Sequence, residues 1–357
     1  MTAVASLEES LEESWIAPEL QLSDPTYEAA PRASLLERII VPLINDKRDV
    51  PFVKLALAMT LMVIPFAAYL FIPGHFRWWL GVAYLAFTFL VFVDRCILML
   101  HNTSHRPLFK SKVLNLYIPW VLGPFFGESP ETYYAHHLGM HHAENNLAKD
   151  LSSTMRYQRD SFLAFLHYWG TFMLTTAARL PLYLQRHGKS RLARRMLIGE
   201  LLFLVACGVG LYLSFWPTFT VFVAPWLAVR FLMMWGNWGQ HAFLDRERPD
   251  RPHTNSITCI NSRYNRRCFN DGYHIGHHLM AARHWTDLPG ELQKNQARYA
   301  KEGAIVFEGI DFFMVSLFLF LKRHDWLADR YVQLGGERKS KQEIILLLKD
   351  RLRPFAS

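Results

Sequence analysis

Histidine is the residue type whose number and spacing in this sequence point most directly to chemistry. The chain of 357 residues contains 16 histidines, and most of them lie in short clusters. The clusters fall at 101–105, 136–142 and 274–278, and a further histidine, His241, ends a long apolar stretch. Imidazole is a common ligand for iron, zinc, copper and nickel, so this pattern predicts a metal site.

The spacing inside the clusters suits ligands that are presented by helices. Residues three or four positions apart share one face of an α-helix. Three sets of histidines have this spacing: His101 with His105, His137 with His141, and His274 with His277 and His278. Each set is expected to direct two imidazoles at one metal. One such set can arise by chance on a surface, whereas three sets indicate a binding site.

Nine histidines are predicted to bind metal. His241 directly follows one apolar stretch and His101 ends another, so the two are expected at the same depth. His136 adjoins His137 but points about 100° away from it on a helix, so His136 is not expected to bind. The predicted ligands are His101, His105, His137, His141, His142, His241, His274, His277 and His278.

This number of ligands predicts two metals. A structural zinc site needs about four ligands, whereas eight or nine histidines are enough for a dinuclear site. The sequence contains neither the Glu-x-x-His motif of soluble di-iron proteins nor the His-Glu-x-x-His motif of zinc proteases. The remaining interpretation is a dinuclear site built from histidines alone.

Three polar residues are candidates to support the ligands: Asp94, Asn237 and Asp271. Asp94 lies seven positions before His101, about two helical turns away on the same face, and Arg230 is a candidate partner for it. The alternative is that Asp94 simply lies at the membrane interface. Asn237 lies one turn before His241, where it is placed to steady that ring or to reach a metal-bound water.

The elements that must position these residues are long apolar helices. The chain is 51% hydrophobic, and about 20 apolar residues cross the roughly 30 Å hydrocarbon core of a bilayer. The predicted spans cover about 55–72, 78–100, 196–216 and 218–240, with a tight turn at Pro217. The alternative of four buried helices in a large soluble core is disfavoured, because soluble proteins of this size rarely contain such runs.

The positive charge of the chain follows the predicted spans. The formal net charge is +8, and bases precede the first span, for example at Arg48, and the third span, in 186–195. Lysine and arginine mark the cytoplasmic side, so both termini and all histidine clusters are expected to be cytoplasmic. This distribution explains the basic charge without nucleic acid as a partner.

The remaining chain is expected to lie outside the hydrocarbon. The predicted divisions are an N-terminal tail over 1–50, a membrane domain over 51–321 and a basic C-terminal tail over 322–357. The acidic residues 1–31 are expected to be mobile or to lie on the surface. The apolar stretch 113–127 is too short to span and is interpreted as interfacial or re-entrant. Those at 161–184 and 309–321 are interpreted as helices along the surface.

The three clusters resemble the histidine boxes of the membrane fatty-acid desaturase and hydroxylase superfamily. The boxes are His101-x3-His105, His137-x3-His141-His142 and His274-x2-His277-His278. The resemblance covers roughly residues 50–300. It implies an all-α membrane protein with four transmembrane helices in two hairpins and a helical cytoplasmic cap that holds a dinuclear site. It also implies two iron ions (Fe2+/Fe3+) and O2 as co-substrate.

The same resemblance implies oxidation of an unactivated C–H bond in a lipid. The leading interpretation is a desaturase that introduces a double bond into an acyl chain. The alternative is a hydroxylase or monooxygenase acting on an alkyl, sterol or carotenoid substrate. A metal transporter is least favoured, because the ligand histidines lie outside the spans. The sequence shows no nucleotide-binding glycine loop, clustered cysteines or haem motif, so a separate donor is expected, a ferredoxin or cytochrome b5 type with its reductase.

Overall fold

Four helices are long and apolar enough to cross a membrane, which confirms the predicted number. In the computed structural model, which describes residues 18–28 and 32–355, they are Lys47–Phe71, Trp78–His105, Ser190–Leu213 and Phe215–Gln240. They are called the first to fourth long helices below. The turn between the third and fourth lies at Ser214 rather than at Pro217, because proline fits the first turn of a helix without losing a hydrogen bond.

Most of the remaining chain is also helical, and helix accounts for 66% of the structure. The other α-helices are Leu35–Ile40, Thr132–His136, His142–Glu144, Phe162–Arg186, Pro252–Asn255, Arg263–Arg267, His274–Leu279, Leu288–Lys294, Gln296–Glu302, Phe312–Phe320, His324–Ala328 and Lys341–Arg351. Short 3-10 segments are Val41–Leu43, Leu114–Leu116, Gly123–Phe126 and Trp285–Asp287. Wider π-helical turns occur at Thr88–Val93, Ile118–Leu122, His137–His141 and Phe219–Val223.

Two short strands depart from the predicted all-α fold. Strands β1 (Ile257–Ile260) and β2 (Ile305–Glu308) pair in parallel, with Ile257 opposite Ile305. Each is a run of only four residues, mostly apolar, and periodicity cannot assign so short a run to helix or strand. Phe307 is buried in the adjoining core, and this burial follows from tertiary packing that the local sequence does not reveal.

The largest hydrophobic core joins the first, second and fourth long helices. Met59 of the first, Met99 of the second and Val229 of the fourth are almost completely buried in it. The second long helix ends at His105 and the fourth at Gln240. Packing of these helices therefore brings two histidine-bearing ends together at one end of the bundle.

The two helices expected to lie along the surface are packed against the long helices. Leu180 and Leu184 of Phe162–Arg186 are buried with Met196 of the third long helix. A Cβ on Gly239 of the fourth long helix would lie only 2.4 Å from the carbonyl oxygen of Phe312. Helix Phe312–Phe320 is therefore in close contact with the fourth long helix, and its interfacial position stays a prediction.

The apolar stretch 113–127 ends in a turn that lies deep among the long helices. This buried turn, residues 127–131, follows the short apolar helix Leu114–Phe126. Gly127 has a positive φ of 77°, and a Cβ there would lie 2.3 Å from the carbonyl oxygen of Pro225. Pro225 precedes His241 by sixteen residues, roughly 24 Å of helix, so the turn lies far from the histidine-bearing ends of the helices. The interfacial or re-entrant position of the stretch stays a prediction.

Both terminal segments pack against the part of the chain that follows the fourth long helix. Asp24 is buried and accepts hydrogen bonds from Asn265 Nδ2 at 3.0 Å and Tyr273 Oη at 2.7 Å. Leu20 and Asp24 are the buried residues of the segment 18–28, and most of its other residues are exposed, so it lies along the surface. Residues 1–17 and 29–31 of the expected tail lie outside the described residues. Ile344 and Leu348, within the predicted C-terminal tail, are buried in the same core as strand β2.

Gly199 of the third long helix tests the packing of the buried turn. A Cβ at Gly199 would lie 2.1 Å from the carbonyl oxygen of Pro130, so Gly199→Ala must displace the turn. We expect a loss of about 1–3 kcal/mol in the free energy of unfolding, measured as a lower thermal midpoint in detergent. Gly208→Ala is the matched control, because nothing lies within 4 Å of its Cβ and alanine favours the helix. Equal midpoints for the two variants would contradict the packing.

Candidate metal centre

The nine predicted ligand histidines converge in two adjoining groups. Site A comprises His101, His105, His137, His142 and His277, and site B comprises His141, His241, His274 and His278. Within each group, one ring nitrogen from every residue lies within 4.8 Å of the others. The rings of His142 and His278 have centroids 4.8 Å apart, so the two groups adjoin.

The second histidine cluster contributes to both groups through a π-helical turn. Residues His137–His141 form this turn, and the backbone N–H of His142 donates to the carbonyl oxygen of His137. Because the turn contains one extra residue, His137 shares a face with His142 and joins it in site A, while His141 points into site B. The predicted pairing of His137 with His141 at one metal is therefore wrong.

The other clusters follow ordinary helical spacing more closely. His101 and His105 lie together in site A, as predicted. His274 and His278, four positions apart on helix His274–Leu279, lie together in site B. His277 belongs to site A instead, because adjacent residues on a helix point about 100° apart. Its predicted grouping with His274 is therefore wrong.

In site A, the separations of the ring nitrogens fit a metal that has more than four ligands. Metal–imidazole bonds are about 2.1 Å long, so nitrogens bound at right angles lie roughly 3.0 Å apart and nitrogens at tetrahedral angles roughly 3.4 Å apart. In site A, the Nε2–Nε2 separations along the series His101, His277, His142, His137 and His105 are 2.9, 2.9, 3.1 and 2.9 Å. In site B, the Nε2 of His274 lies 3.0 Å from that of His278 and 3.3 Å from that of His241.

The other ring nitrogen of several ligands is held by an acceptor, which directs Nε2 into its group. His141 Nδ1 lies 2.7 Å from Asp150 Oδ2. His241 Nδ1 lies 2.8 Å from the backbone oxygen of Asn255. A proton on Nδ1 satisfies these contacts and leaves the Nε2 lone pair free, the arrangement typical of metal-binding histidines. Asp150 and Asn255 were not predicted, because no spacing rule relates them to the histidines they contact.

The environment keeps several of the ligand rings neutral. Burial and the neighbouring imidazoles lower the pKa of His274, His277 and His278 well below its usual value. Burial is also the main cause that lowers the pKa of His241 to about 4. Neutral imidazole is the form that binds metals, so these four rings are in the binding form at neutral pH.

Of the three supporting candidates, only Asp271 lies against a ligand histidine. Its Oδ1 lies 3.4 Å from His101 Nδ1, and its Oδ2 accepts a hydrogen bond from Tyr264 Oη at 2.9 Å. The carboxylate is thus fixed on one side by a tyrosine and on the other side faces a ring of site A.

Asp94 and Asn237 make contacts other than the predicted ones. Asp94 forms an ion pair with Arg267, so the predicted partnership with Arg230 is wrong. The Asn237 side chain donates to Tyr168 Oη at 2.7 Å and to the backbone oxygen of Ser152 at 3.1 Å. Asn237 therefore fixes helix Phe162–Arg186 rather than the ring of His241.

His136 lies outside both groups. Its ring is parallel to that of His141 at a centroid distance of 6.1 Å and meets Phe172 edge-on at 5.0 Å. Its Nε2 is buried and has no hydrogen-bond partner among the described residues. This position agrees with the expectation that His136 is not a ligand.

A cavity of about 180 Å³ borders both groups, far more than the roughly 10–15 Å³ that holds one water. It is lined by His101 and His137 of site A and by His141 and His274 of site B. Its apolar walls include Ile97, Leu98, Val229, Leu232, Met233 and Phe313. This histidine cavity gives both groups access to a single apolar ligand.

Comparison with known proteins identifies one family. A family model described as fatty acid desaturase matches residues 76–309, well over half of the chain. The match includes every histidine of sites A and B. No curated protein and no solved structure matches the chain.

Asp150→Asn tests whether the hydrogen bond to His141 prepares site B for metal. Asp150 Oδ1 accepts from the backbone N–H and the hydroxyl of Ser152, so the asparagine oxygen is expected to keep these donors and turn its amide N–H toward His141. That moves the ring proton to Nε2 and blocks metal binding. We expect about 10–100-fold weaker binding at site B, measured as metal content after dialysis. Asp160→Asn, beside His324, is the control, and equal metal content in both variants would refute the role.

Single alanine substitutions test the assignment of His241 and His136. We expect His241→Ala to lose the metal of site B, because only three imidazoles remain there, while His136→Ala keeps both metals. Elemental analysis of the purified variants measures this. Loss of metal from His136→Ala with retention in His241→Ala would overturn both assignments.

Proposed function

The chain belongs to the fatty acid desaturase family, and on this basis we propose that it is an oxygen-dependent di-iron desaturase that introduces a double bond into a lipid acyl chain. Membership of the family makes it an oxidoreductase that acts on lipids. The observation that carries the proposal is that sites A and B line one apolar cavity. A substrate carbon held there would lie beside both groups.

The two metals are proposed to be iron, held by the five histidines of site A and the four of site B. Imidazole binds iron well, and the nitrogen separations of 2.9–3.1 Å in site A favour a metal with more than four ligands over tetrahedral zinc. When bound, iron supplies the activation of O2 that cleavage of an unactivated C–H bond requires. Asp271, Asp150 and Asn255 are proposed to keep the proton of their partner histidines on Nδ1.

The protein itself positions the substrate chain and keeps water away from the reacting carbons. The apolar walls of the histidine cavity can hold an extended chain with one segment beside the histidines, which raises the effective concentration of the reacting carbons. The same walls exclude bulk water, which protects the reaction from side reactions. Met233 and Phe313 stand among these walls and are proposed to contact the chain directly.

The electron balance of the proposed reaction requires an external donor. Removal of two vicinal hydrogens supplies two electrons and two protons from the lipid. Reduction of O2 to two waters consumes four of each, so two electrons and two protons must come from elsewhere. We propose a separate donor, of the ferredoxin or cytochrome b5 type with its reductase.

The proposed arrangement in the membrane places the histidines on the cytoplasmic side. Four apolar helices support a membrane protein, and the histidine groups lie at the ends of the second and fourth long helices. The basic run 186–195 leads into the third long helix and includes its first turns, and basic segments mark the cytoplasmic side. We therefore propose two helical hairpins within a membrane domain over 51–321, with a cytoplasmic cap and both termini on the same side.

Analysis of products distinguishes desaturation from hydroxylation, which uses the same ligands. Cells that express the protein with its donor system are expected to gain lipids that lack two hydrogens, and cells with His137→Ala are not. Under isotopically labelled O2, a desaturase leaves no label in the lipid, because both oxygen atoms end in water. Labelled hydroxyl groups in the product would identify the hydroxylase alternative. Identical lipid profiles with and without the wild-type protein would contradict both.

A further inference from the structure

The histidine cavity has a polar end that lies away from the metal groups. Glu128, Thr132, Thr176 and Arg230 line the cavity. Thr132 and Arg230 both bond to Glu200. Thr176 lies one turn before Leu180, which packs with Met196, one turn before Glu200. Arg230 precedes His241 by eleven residues on the fourth long helix, which corresponds to roughly 16 Å along the axis. The cavity is thus bounded by imidazoles at one end and by a different set of hydrogen-bonding groups at the other.

Two of these groups are buried without a partner. Glu128 is 4% exposed and Thr176 is 3% exposed. Glu128 Oε1 and Thr176 Oγ1 make no hydrogen bond among the described residues. A buried polar group without a partner destabilises the fold, and both residues line the cavity, so a ligand that carries an oxygen or nitrogen into this end can satisfy them.

The charges at this end are already balanced. Arg230 Nη2 donates to Glu200 Oε1 at 3.0 Å and to Ser129 Oγ at 2.9 Å. Thr132 Oγ1 donates to the same carboxylate of Glu200 at 2.6 Å. Burial raises the pKa of Glu128 to about 8 despite the nearby Arg230, so its carboxyl group is protonated at neutral pH. The polar end therefore suits an uncharged group rather than an anion.

We propose that this polar end binds an uncharged oxygen function, a hydroxyl or a carbonyl, carried by the substrate lipid far from the carbon that is oxidised. Glu128 and Thr176 can each donate to such an oxygen, and their oxygens can accept from a hydroxyl. The interaction would fix which carbon reaches the histidines, because it sets the position of the chain along the cavity. This inference rests on the proposed function for the identity of the reaction, but not for the binding itself.

A binding experiment without turnover tests the proposal. Purified, metal-loaded protein in detergent micelles is equilibrated with deuterated saturated alcohols from dodecanol to octadecanol, or with alkanes of the same lengths, at equal mole fraction. The lipid retained on the re-purified protein is measured by mass spectrometry. For the best-fitting length, we expect about tenfold preference for the alcohol, the gain from a buried hydrogen-bond pair.

Variants of the cavity assign the preference to the polar end. Thr176→Val keeps the shape of the side chain and removes its hydroxyl, and Glu128→Leu removes the carboxyl group. Each is expected to reduce the preference several-fold. Thr175→Val is the matched control, because it makes the same substitution at a neighbouring side chain that bonds to the backbone oxygen of Thr171 and does not line the cavity, and it should keep the wild-type preference. Should Glu128→Leu fail to fold, Thr176→Val decides the question.

The outcomes separate this proposal from the proposed function. Equal retention of alcohol and alkane by the wild-type protein, or an unchanged preference in Thr176→Val, overturns the polar subsite even if the enzyme desaturates lipids. A preference that Thr176→Val and Glu128→Leu reduce supports the subsite. If the same preparation then forms no oxidised lipid with donor and O2, the proposed function fails while the subsite stands.

Discussion

The structure depends on one constraint, which is that nine imidazoles must turn the same ring nitrogen toward two small volumes. Rings packed with nitrogens about 3 Å apart cannot all be protonated, and each ring must be held so that its Nε2 faces inward. His141 meets this requirement through Asp150 and His241 through Asn255. The long helices, the π-helical turn and the short helix Pro252–Asn255 are all needed to satisfy the constraint at once.

The sequence predicts the features that repeat along one helix. Uninterrupted apolar runs predicted the four long helices. The four-residue spacing of His101 with His105 and of His274 with His278 predicted that the members of each pair lie in the same histidine group. Spacing failed at His137, because the π-helical turn changes the period within five residues and composition does not reveal it. Asp150 was missed for a different reason: it reaches His141 from a loop, and loop geometry follows from tertiary packing.

The charged residues inside the long helices illustrate the same limit. Asp94 and Arg230 lie on the faces that lead to the histidines, which made an ion pair between them reasonable. The structure instead pairs Asp94 with Arg267 and Arg230 with Glu200. Ser129 of the buried turn at 127–131 contacts both members of the second pair. Its hydroxyl accepts a hydrogen bond from Arg230 and donates one to Glu200. The turn thereby closes the histidine cavity with polar groups at the end away from the metals.

Anomalous diffraction at the iron absorption edge, from crystals of the iron-loaded protein, tests the central claim most directly. The account predicts two iron peaks per chain, one bonded to Nε2 atoms of site A and one to those of site B, with nitrogen distances of about 2.1 Å. A single peak shared by both groups would contradict it, as would iron found only elsewhere in the molecule.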